Sequence, residues 1–168
     1  TNWATPACFN NNLRLNLILL NLSLKIVKSE DLLNLRSKIL RNNLDPNLCR
    51  FPGDTEINSF HIGAFNRNTL VGGVSVMKNE CKKKKLPNCF QLRGLFVDKE
   101  FQKNGIGKTI VNFVENRLRD SGVNYLWMNA RESAVLFYLK LNYTNSKISY
   151  LINEIGLHYL MYKKLWKV

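Results

Sequence analysis

The sequence predicts an α+β domain in which helices flank a mixed sheet. Three observations indicate it: the chain of 168 residues is 45% hydrophobic, predicted strands and helices alternate along it, and neither an internal repeat nor a domain linker interrupts that order. We therefore expect one domain over residues 13–168. Residues 1–12 show no hydrophobic periodicity and are predicted to form an N-terminal arm.

The first half of the chain predicts strands around a single helix. Apolar residues alternate from Leu13 to Val27, which indicates extended structure. Ser29 is a predicted N-cap for the helix that follows. The predicted apolar face of that helix consists of Leu32, Leu35, Ile39 and Leu40. Prolines and a glycine mark 42–54 as a loop, and further strands are predicted over 61–65, 69–77 and 89–97.

The second half predicts two helices and three strands. Residues 107–121 have the period of an amphipathic helix, and Gly122 follows where a helix ends. Residues 123–128 predict a short strand. Residues 133–141 are almost all apolar, which predicts a buried helix. Two strands over 148–152 and 157–163 complete the predicted order of strand, helix, strands, helix, strand, helix, strands.

The charge balance predicts an anionic partner. Lys and Arg number 25 against 12 Asp and Glu, which leaves a net charge of +13. Nucleic acid, a membrane surface or a phosphate-bearing small molecule would each fit such a balance. Residues 78–119 hold eleven basic and four acidic residues, so the charge is concentrated there. The run Lys82–Lys85 predicts a solvated loop between strands; a nucleic-acid patch is the alternative, but the run lacks interleaved aromatic residues.

Membrane and metal partners are not expected from the sequence. No apolar run approaches the ~20 residues of a membrane span, and residues 13–24 make a poor signal peptide because polar residues interrupt them, so we expect a cytoplasmic protein. The four cysteines are Cys8, Cys49, Cys81 and Cys89. They form no CxxC pair and have no nearby histidine at metal-ligand spacing. We expect reduced structural thiols and no metal. A Cys81–Cys89 bridge is the alternative in an oxidising compartment.

A glycine-containing turn between a strand and a helix is the strongest chemical signal. In the stretch Leu92–Lys108, a predicted strand leads into a loop with Gly105 and Gly107, where the helix begins. Successive backbone N–H groups at a helix N-terminus can cradle a phosphate, and glycine lets the anion approach the backbone closely. Lys103 and Lys108 add positive charge at the rim of this loop. The spacing matches neither a P-loop nor a dinucleotide fingerprint.

Two segments resemble the GNAT superfamily of acetyl-CoA-dependent N-acetyltransferases. The family signature Q/R-x-x-G-x-G/A is matched by Gln102–Gly107. Residues 129–143 resemble a second family segment, which ends in (F/Y)-Y-x-K-x-G-(F/Y), with Asn142 in place of its glycine. The resemblance covers residues 22–165. It implies a mostly antiparallel sheet splayed around acetyl-CoA, which is the co-substrate, and direct transfer of acetyl to a primary amine in a ternary complex. Compact members often form homodimers.

The resemblance also implies roles for individual residues. Tyr138 matches the tyrosine that protonates the departing thiolate, and His158 is a candidate base because no acid lies in the strand 89–97. His61, or Glu154 through a water molecule, is an alternative base. The residues implied to bind acetyl-CoA are Leu95, Phe96, Val97, Gln102, Lys103, Asn104, Gly105, Ile106, Gly107, Lys108 and Asn129.

The expected acceptor is an amine that carries a phosphate or carboxylate. Segments such as RFPGD (50–54) and HIGAF (61–65) resemble a group of small GNAT proteins, and that resemblance does not define the acceptor. The residues expected to contact it are Arg50, Asp54, His61 and Arg131. An amino-sugar phosphate fits this chemistry, and the resemblance to compact GNAT enzymes, some of which acetylate glucosamine 6-phosphate, implies that compound as the acceptor. A protein or peptide amine is the main alternative, and a non-catalytic nucleic-acid-binding module is a more distant one.

Overall fold

Seven strands form one sheet in the computed structural model, which describes residues 17–153 and 155–166. The strands are β1 (Leu22–Val27), β2 (Phe60–Asn66), β3 (Thr69–Met77), β4 (Cys89–Val97), β5 (Tyr125–Arg131), β6 (Thr144–Ile152) and β7 (Gly156–Lys164). The helices are α1 (Ser29–Leu40), α2 (Ile106–Asp120) and α3 (Val135–Lys140). The expected N-terminal arm, Cys8 and Glu154 lie outside the described residues.

The sheet is mixed, as the sequence predicts. The strand order is β1-β2-β3-β4-β5-β7-β6, and every neighbouring pair is antiparallel except β4 and β5. The predicted order of helices and strands is also confirmed. The sheet therefore combines two antiparallel parts that meet at one parallel pair.

The strands β4 and β5 pair over only a short length. Their register runs from Cys89 opposite Tyr125 to Gln91 opposite Trp127 and stops there. Just beyond, β4 carries a bulge at Gly94, whose φ of +60° lies in the left-handed region. A Cβ atom at Gly94 would lie 2.4 Å from the Phe51 ring, so only glycine fits there. The unpaired ends of the two strands leave an opening in the sheet.

The two faces of the sheet are covered by different elements. On one face, α2 buries the predicted apolar side, which consists of Ile106, Ile110, Val111, Val114 and Leu118. Leu126, Met128 and Ala130 of β5 belong to the same core. On the opposite face, α1 buries Leu32, and the alternate β5 residues Trp127, Asn129 and Arg131 point to that side. The opening between β4 and β5 connects these two faces.

The extended structure predicted from Leu13 to Val27 is only partly right. Residues 17–20 are helical, and β1 begins at Leu22. The alternation is interrupted at Leu17–Leu20 by four consecutive apolar residues, which do not have the period of a strand. The Asn21 side chain donates to the Leu17 carbonyl at 2.7 Å, which closes this turn before β1 starts. Residues 13–16 lie outside the described residues.

The buried helix predicted over 133–141 is shorter and more exposed. A 3₁₀ turn over Glu132–Ala134 precedes α3, which has six residues. Leu136 is 71% exposed and Leu139 is 42% exposed, whereas Tyr138 is buried. Apolar composition alone overestimated its burial, because a short helix packed on one edge of a sheet buries one side only.

The helix α1 differs from its prediction at its cap and along its buried side. Ser29 is the first helical residue, and the Asp31 carboxylate accepts the Lys28 N–H at 2.9 Å. Leu32 is buried as predicted, but Arg36 and Ser37 take inward positions while Leu35, Ile39 and Leu40 are half-buried. A polar cluster beneath the helix, described below, accounts for this shift of the buried side.

The cysteines and the lysine-rich loop have structural surroundings. Cys49, Cys81 and Cys89 are buried free thiols, and Cys81 and Cys89 lie in one apolar cluster beneath the β3–β4 loop. Lys82–Lys85 are exposed at the tip of that loop. Among the described residues, no helix has the length and hydropathy to cross a membrane, and no cluster of three His, Cys, Asp or Glu side chains could hold a metal ion.

Candidate active site

A cleft of about 370 Å³ occupies the opening between β4 and β5. Its walls include Leu95, Phe96 and Val97 from β4 and Asn129 and Arg131 from β5. Gln102 and Tyr138 line it from the face that carries α2 and α3, while Arg41 and Phe51 line it from the face that carries α1. The cleft is therefore lined by residues from both faces of the sheet.

The loop 102–105 presents the N-terminus of α2 beside this cleft. The Gln102 amide donates to the Val97 carbonyl at 2.9 Å, and the Asn104 amide donates to the carbonyls of Phe101 and Gln102 at 3.2 Å. These bonds hold the loop against the end of β4. The first N–H groups of α2 have no partner within the helix, and the helix dipole adds positive potential at the same place.

Gly105 gives this loop its turn into α2. Its φ of +78° is left-handed, and a Cβ atom there would meet nothing within 4 Å. Lys103, two residues before Gly105, also has a left-handed φ of +63°. Lys108 lies exposed in the first turn of α2. Backbone donors, adjacent lysines and open space at Gly105 fit a diphosphate such as that of CoA.

Tyr138 is buried at the inner end of the cleft. Its ring packs edge-on against Phe137 at 5.0 Å and Tyr143 at 5.4 Å between ring centroids. Its hydroxyl makes no hydrogen bond with a described residue. Burial raises the pKa of Tyr138 well above its ordinary value, so the phenol keeps its proton at neutral pH.

His158 lines the cleft from β7 with one ring nitrogen available. Its Nδ1 lies 2.8 Å from the Gly156 carbonyl, which can only accept, so Nδ1 donates and the neutral ring carries its lone pair on Nε2. The ring is buried and stacks on Tyr150, with centroids 6.4 Å apart and an interplanar angle of 17°. His158 pairs across strands with Arg131 on one side and Tyr150 on the other, so the three side chains form one row.

Asn129 contributes an unpaired polar atom to the cleft. Its Oδ1 is buried and has no hydrogen-bond partner among the described residues. A buried acceptor without a donor costs about 1–3 kcal/mol, so Oδ1 is suited to accept a hydrogen bond from a ligand or a water molecule in the cleft. This position is consistent with the expected contact between Asn129 and the bound co-substrate.

Three of the residues expected to contact the acceptor do not line the cleft. Asp54 and His61 are buried beneath α1, and Arg50 is a surface residue that pairs with Glu30 at 2.7 Å. The carboxylate of Asp54 binds Arg36 at 2.7 Å, and Arg36 Nη2 donates to Ser75 Oγ at 2.6 Å. This arrangement corrects the expectation for Asp54 and His61, because their polar atoms face the interior.

The cluster around Arg36 connects four segments of the chain. Arg36 is fully buried, donates to the Cys49 carbonyl at 2.9 Å and stacks on the Phe51 ring at 4.1 Å. His61 Nε2 lies 2.9 Å from the Asp54 carbonyl and therefore donates to it, which leaves Nδ1 to accept from Ser75 at 2.7 Å. These bonds attach α1 and the loop after it to β2 and β3, so the cluster positions one wall of the cleft.

Sequence reasoning placed Arg131 in the site but missed Arg41 and Arg93. Both line the cleft with Arg131. Arg93 donates to the Pro52 carbonyl at 3.1 Å and stacks on Phe51 at 4.6 Å, and Arg131 donates to the Leu40 carbonyl at 2.9 Å. One signal was available, since a lone charge in the apolar strand 89–97 is unusual for a central strand.

Comparison with known proteins agrees with this geometry. Residues 53–165 match the family model described as an acetyltransferase (GNAT) domain. The chain is 30% identical over 144 residues to the uncharacterised N-acetyltransferase YitI of Bacillus subtilis (strain 168). The matched residues make up 86% of this chain and 97% of YitI. The chain therefore belongs to the GNAT family, and it is an N-acetyltransferase of that family.

Solved structures share the fold. The ribosomal-protein-S18-alanine N-acetyltransferase from Escherichia coli superposes with a TM-score of 0.69 at 13% identity, covering 88% of this chain and 96% of that one. An aminoglycoside 6'-N-acetyltransferase complexed with coenzyme A superposes with a TM-score of 0.64 at 16% identity, covering 87% and 98%. The predicted GNAT fold with its splayed, mostly antiparallel sheet is thus confirmed.

Proposed function

We propose that this protein transfers an acetyl group from acetyl-CoA directly to a primary amine bound in the same cleft. The observation that carries the proposal is the opening between β4 and β5, which has a phosphate cradle at one end and Tyr138 and His158 along its walls. The aminoglycoside 6'-N-acetyltransferase that shares this fold forms a complex with coenzyme A, which supports the choice of donor. When bound, acetyl-CoA supplies a thioester whose acyl carbon the amine attacks, with CoA leaving as a thiol.

The backbone of this chain would hold the donor at two places. The N–H groups from Lys103 to Lys108 bind the diphosphate, because the N-terminus of α2 presents unpaired donors there. The unpaired edge of β4 at Leu95–Val97 binds the amide groups of the pantetheine arm. Asn129 supplies the buried Oδ1 as a further acceptor.

His158 and Tyr138 divide the proton transfers between them. His158 Nε2 accepts the proton that the amine loses as its nitrogen bonds to the acyl carbon, because Nδ1 is already committed to Gly156. Tyr138 donates its phenolic proton to the departing thiolate, because burial keeps the phenol protonated. His158 thus gains one proton and Tyr138 loses one in each turnover. Proton exchange with solvent then returns both side chains to their starting states.

Glucosamine 6-phosphate and an amine of a protein or peptide are the two candidate acceptors. The first follows from the basic residues of the cleft, which suit an amine that carries a phosphate. The second is supported by the likeness of fold to an enzyme named for the alanine of a ribosomal protein. Both candidates require an amine that reaches the cleft from the face covered by α1.

A thiol-release assay with acetyl-CoA tests the function. The amines to compare are an amino sugar, its 6-phosphate, a polyamine and a peptide with a free N-terminus. We expect CoA thiol to appear only when an amine is present, with mass spectrometry showing one acetyl group on the acceptor nitrogen. Release that does not depend on any amine, or product acetylated on oxygen, would contradict the proposal.

A further inference from the structure

The end of the cleft beneath α1 carries unusual positive charge. Arg41, Arg93 and Arg131 line it together with His158, and none of its described lining residues is acidic. None of the three arginines forms an ion pair with a described residue. Arg93 and Arg131 are partly buried, and a partly desolvated charge without a partner is costly, so an anion beside them would be stabilising.

Arg41 is close enough to affect the guanidinium groups of both Arg93 and Arg131. Burial is the largest cause that lowers the pKa of Arg131, and repulsion from Arg41 lowers it further. Burial also lowers the pKa of Arg93, and the charges of Arg36 and Arg41 add to this effect while Asp54 opposes it. An anion placed among these groups would relieve both the desolvation and the repulsion.

The side chains are held in position before any ligand arrives. Arg93 is fixed by the Pro52 carbonyl and by stacking on Phe51, and Arg131 is fixed by the Leu40 carbonyl. Each guanidinium has five N–H donors, and these contacts use few of them. The remaining donors can bind a carboxylate or a phosphate in the bidentate manner that arginine favours.

We propose that Arg41, Arg93 and Arg131 form an anion site that binds a phosphate or carboxylate carried by the acceptor amine. This inference rests on the proposed function, because it places the amine of the same molecule beside His158. Arg131 and His158 are cross-strand partners, so an anion on Arg131 holds an amine within a few atoms of His158. Amines that lack the anion leave the arginines unpaired and are poorer acceptors.

The first test measures binding and does not depend on activity. Inorganic phosphate is titrated calorimetrically into a chain that carries Gly105→Glu, so that the α2 cradle does not contribute. Into this background we add Arg93→Gln with Arg131→Gln, or Arg67→Gln as the matched control, since Arg67 is exposed in the β2–β3 turn. We expect the pair to weaken phosphate binding about 10- to 100-fold and the control to leave it within about 2-fold. Equal binding in all three proteins would overturn the proposal.

The second test separates the two anions and uses the otherwise wild-type chain. The kcat/KM ratio of charged to neutral acceptor is measured for glucosamine 6-phosphate against glucosamine and for alanine against alaninamide. We expect wild-type enzyme to favour the charged member of one pair about 10-fold or more, and Arg93→Gln with Arg131→Gln to bring that ratio near one. The favoured pair identifies phosphate or carboxylate.

The same experiment distinguishes failure of this proposal from failure of the function. Equal acetylation of charged and neutral amines would overturn the anion site and leave the acetyltransferase function standing. If the double variant loses kcat/KM equally for the charged and the neutral member of a pair, the arginines have a structural role only. Arg93→Lys, which keeps the charge, should retain part of the preference, whereas a packing role would not respond to charge.

Discussion

Two buried tyrosines beside the cleft differ in the role that we propose for them at the residue scale. Tyr138 lies among aromatic rings with its hydroxyl at the cleft, and Tyr143 packs behind it. Burial raises the pKa of both groups, so both remain phenols at neutral pH. Only Tyr138 lines the cleft, which is why we assign the proton donor to it and not to its neighbour.

Substitution of Tyr138 by Phe tests that assignment. The change removes the proton donor and keeps the ring contacts, so we expect kcat to fall about 100-fold or more while the Kd for acetyl-CoA changes little. Because burial raises the pKa of Tyr138, its phenol keeps its proton as the pH rises toward 10. Ionisation of Tyr138 should therefore not lower the wild-type rate in that range. Tyr143→Phe is the control and should leave kcat within about 3-fold. Unchanged turnover in Tyr138→Phe would remove this residue as the acid.

A second residue-scale prediction concerns Asp54. Asp54→Ala leaves the fully buried Arg36 without its carboxylate, so we expect the free energy of unfolding to fall by about 3–5 kcal/mol. Urea unfolding measures this loss, and Arg50→Ala is the control because its ion pair with Glu30 is exposed. If Asp54 instead contacted the acceptor, the variant would keep its stability and raise the KM for the amine.

At the scale of elements, periodicity and cap signals predicted most of the fold. The strands β3 and β4 and the helix α2 follow their predicted boundaries closely, because alternation and a glycine-flanked amphipathic pattern are local properties. The helical turn at 17–20 and the exposure of α3 were not predicted, since both depend on what packs against the segment.

The candidate site was predictable where the chemistry is local in sequence. The loop Gln102–Gly107 and Tyr138 lie within short motifs, and Gln102 and Tyr138 line the cleft, while the rest of the loop leads from its rim into α2. The lone charge in the strand 89–97 marked Arg93 as unusual, but the partners of Arg93 and Asp54 were not predictable, because a charged residue gives no sequence signal of whether its partner is buried or a ligand. The bulge at Gly94 and the pairing of β5 with β7 decide which side chains meet, and both are properties of the assembled sheet.

At the scale of the whole molecule, the structure shows where the basic residues behind the net charge of +13 lie. Lysines flank the cradle at α2, and arginines line the cleft at the C-terminal end of α1. Lys83 and Lys84 of the β3–β4 loop lie over the rings of Tyr150 and Tyr162, at 4.3 Å and 5.6 Å from the ring centroids. The basic residues thus lie at three places, which are the start of α2, the cleft and the β3–β4 loop, and the first two are where we propose that anions bind.

The most direct test of the account is the affinity for acetyl-CoA of two glycine variants at opposite ends of α2. Gly105 and Gly122 both have left-handed φ values, and a Cβ atom at either would meet nothing within 4 Å. Glutamate therefore costs a similar backbone strain at each position, but only Gly105→Glu places an acid in the cradle. Calorimetric titration should show a Kd raised about 100-fold or more for Gly105→Glu, because like charges are brought together, and a nearly unchanged Kd for Gly122→Glu. Equal affinities in the two variants would contradict the assignment of the cleft to acetyl-CoA.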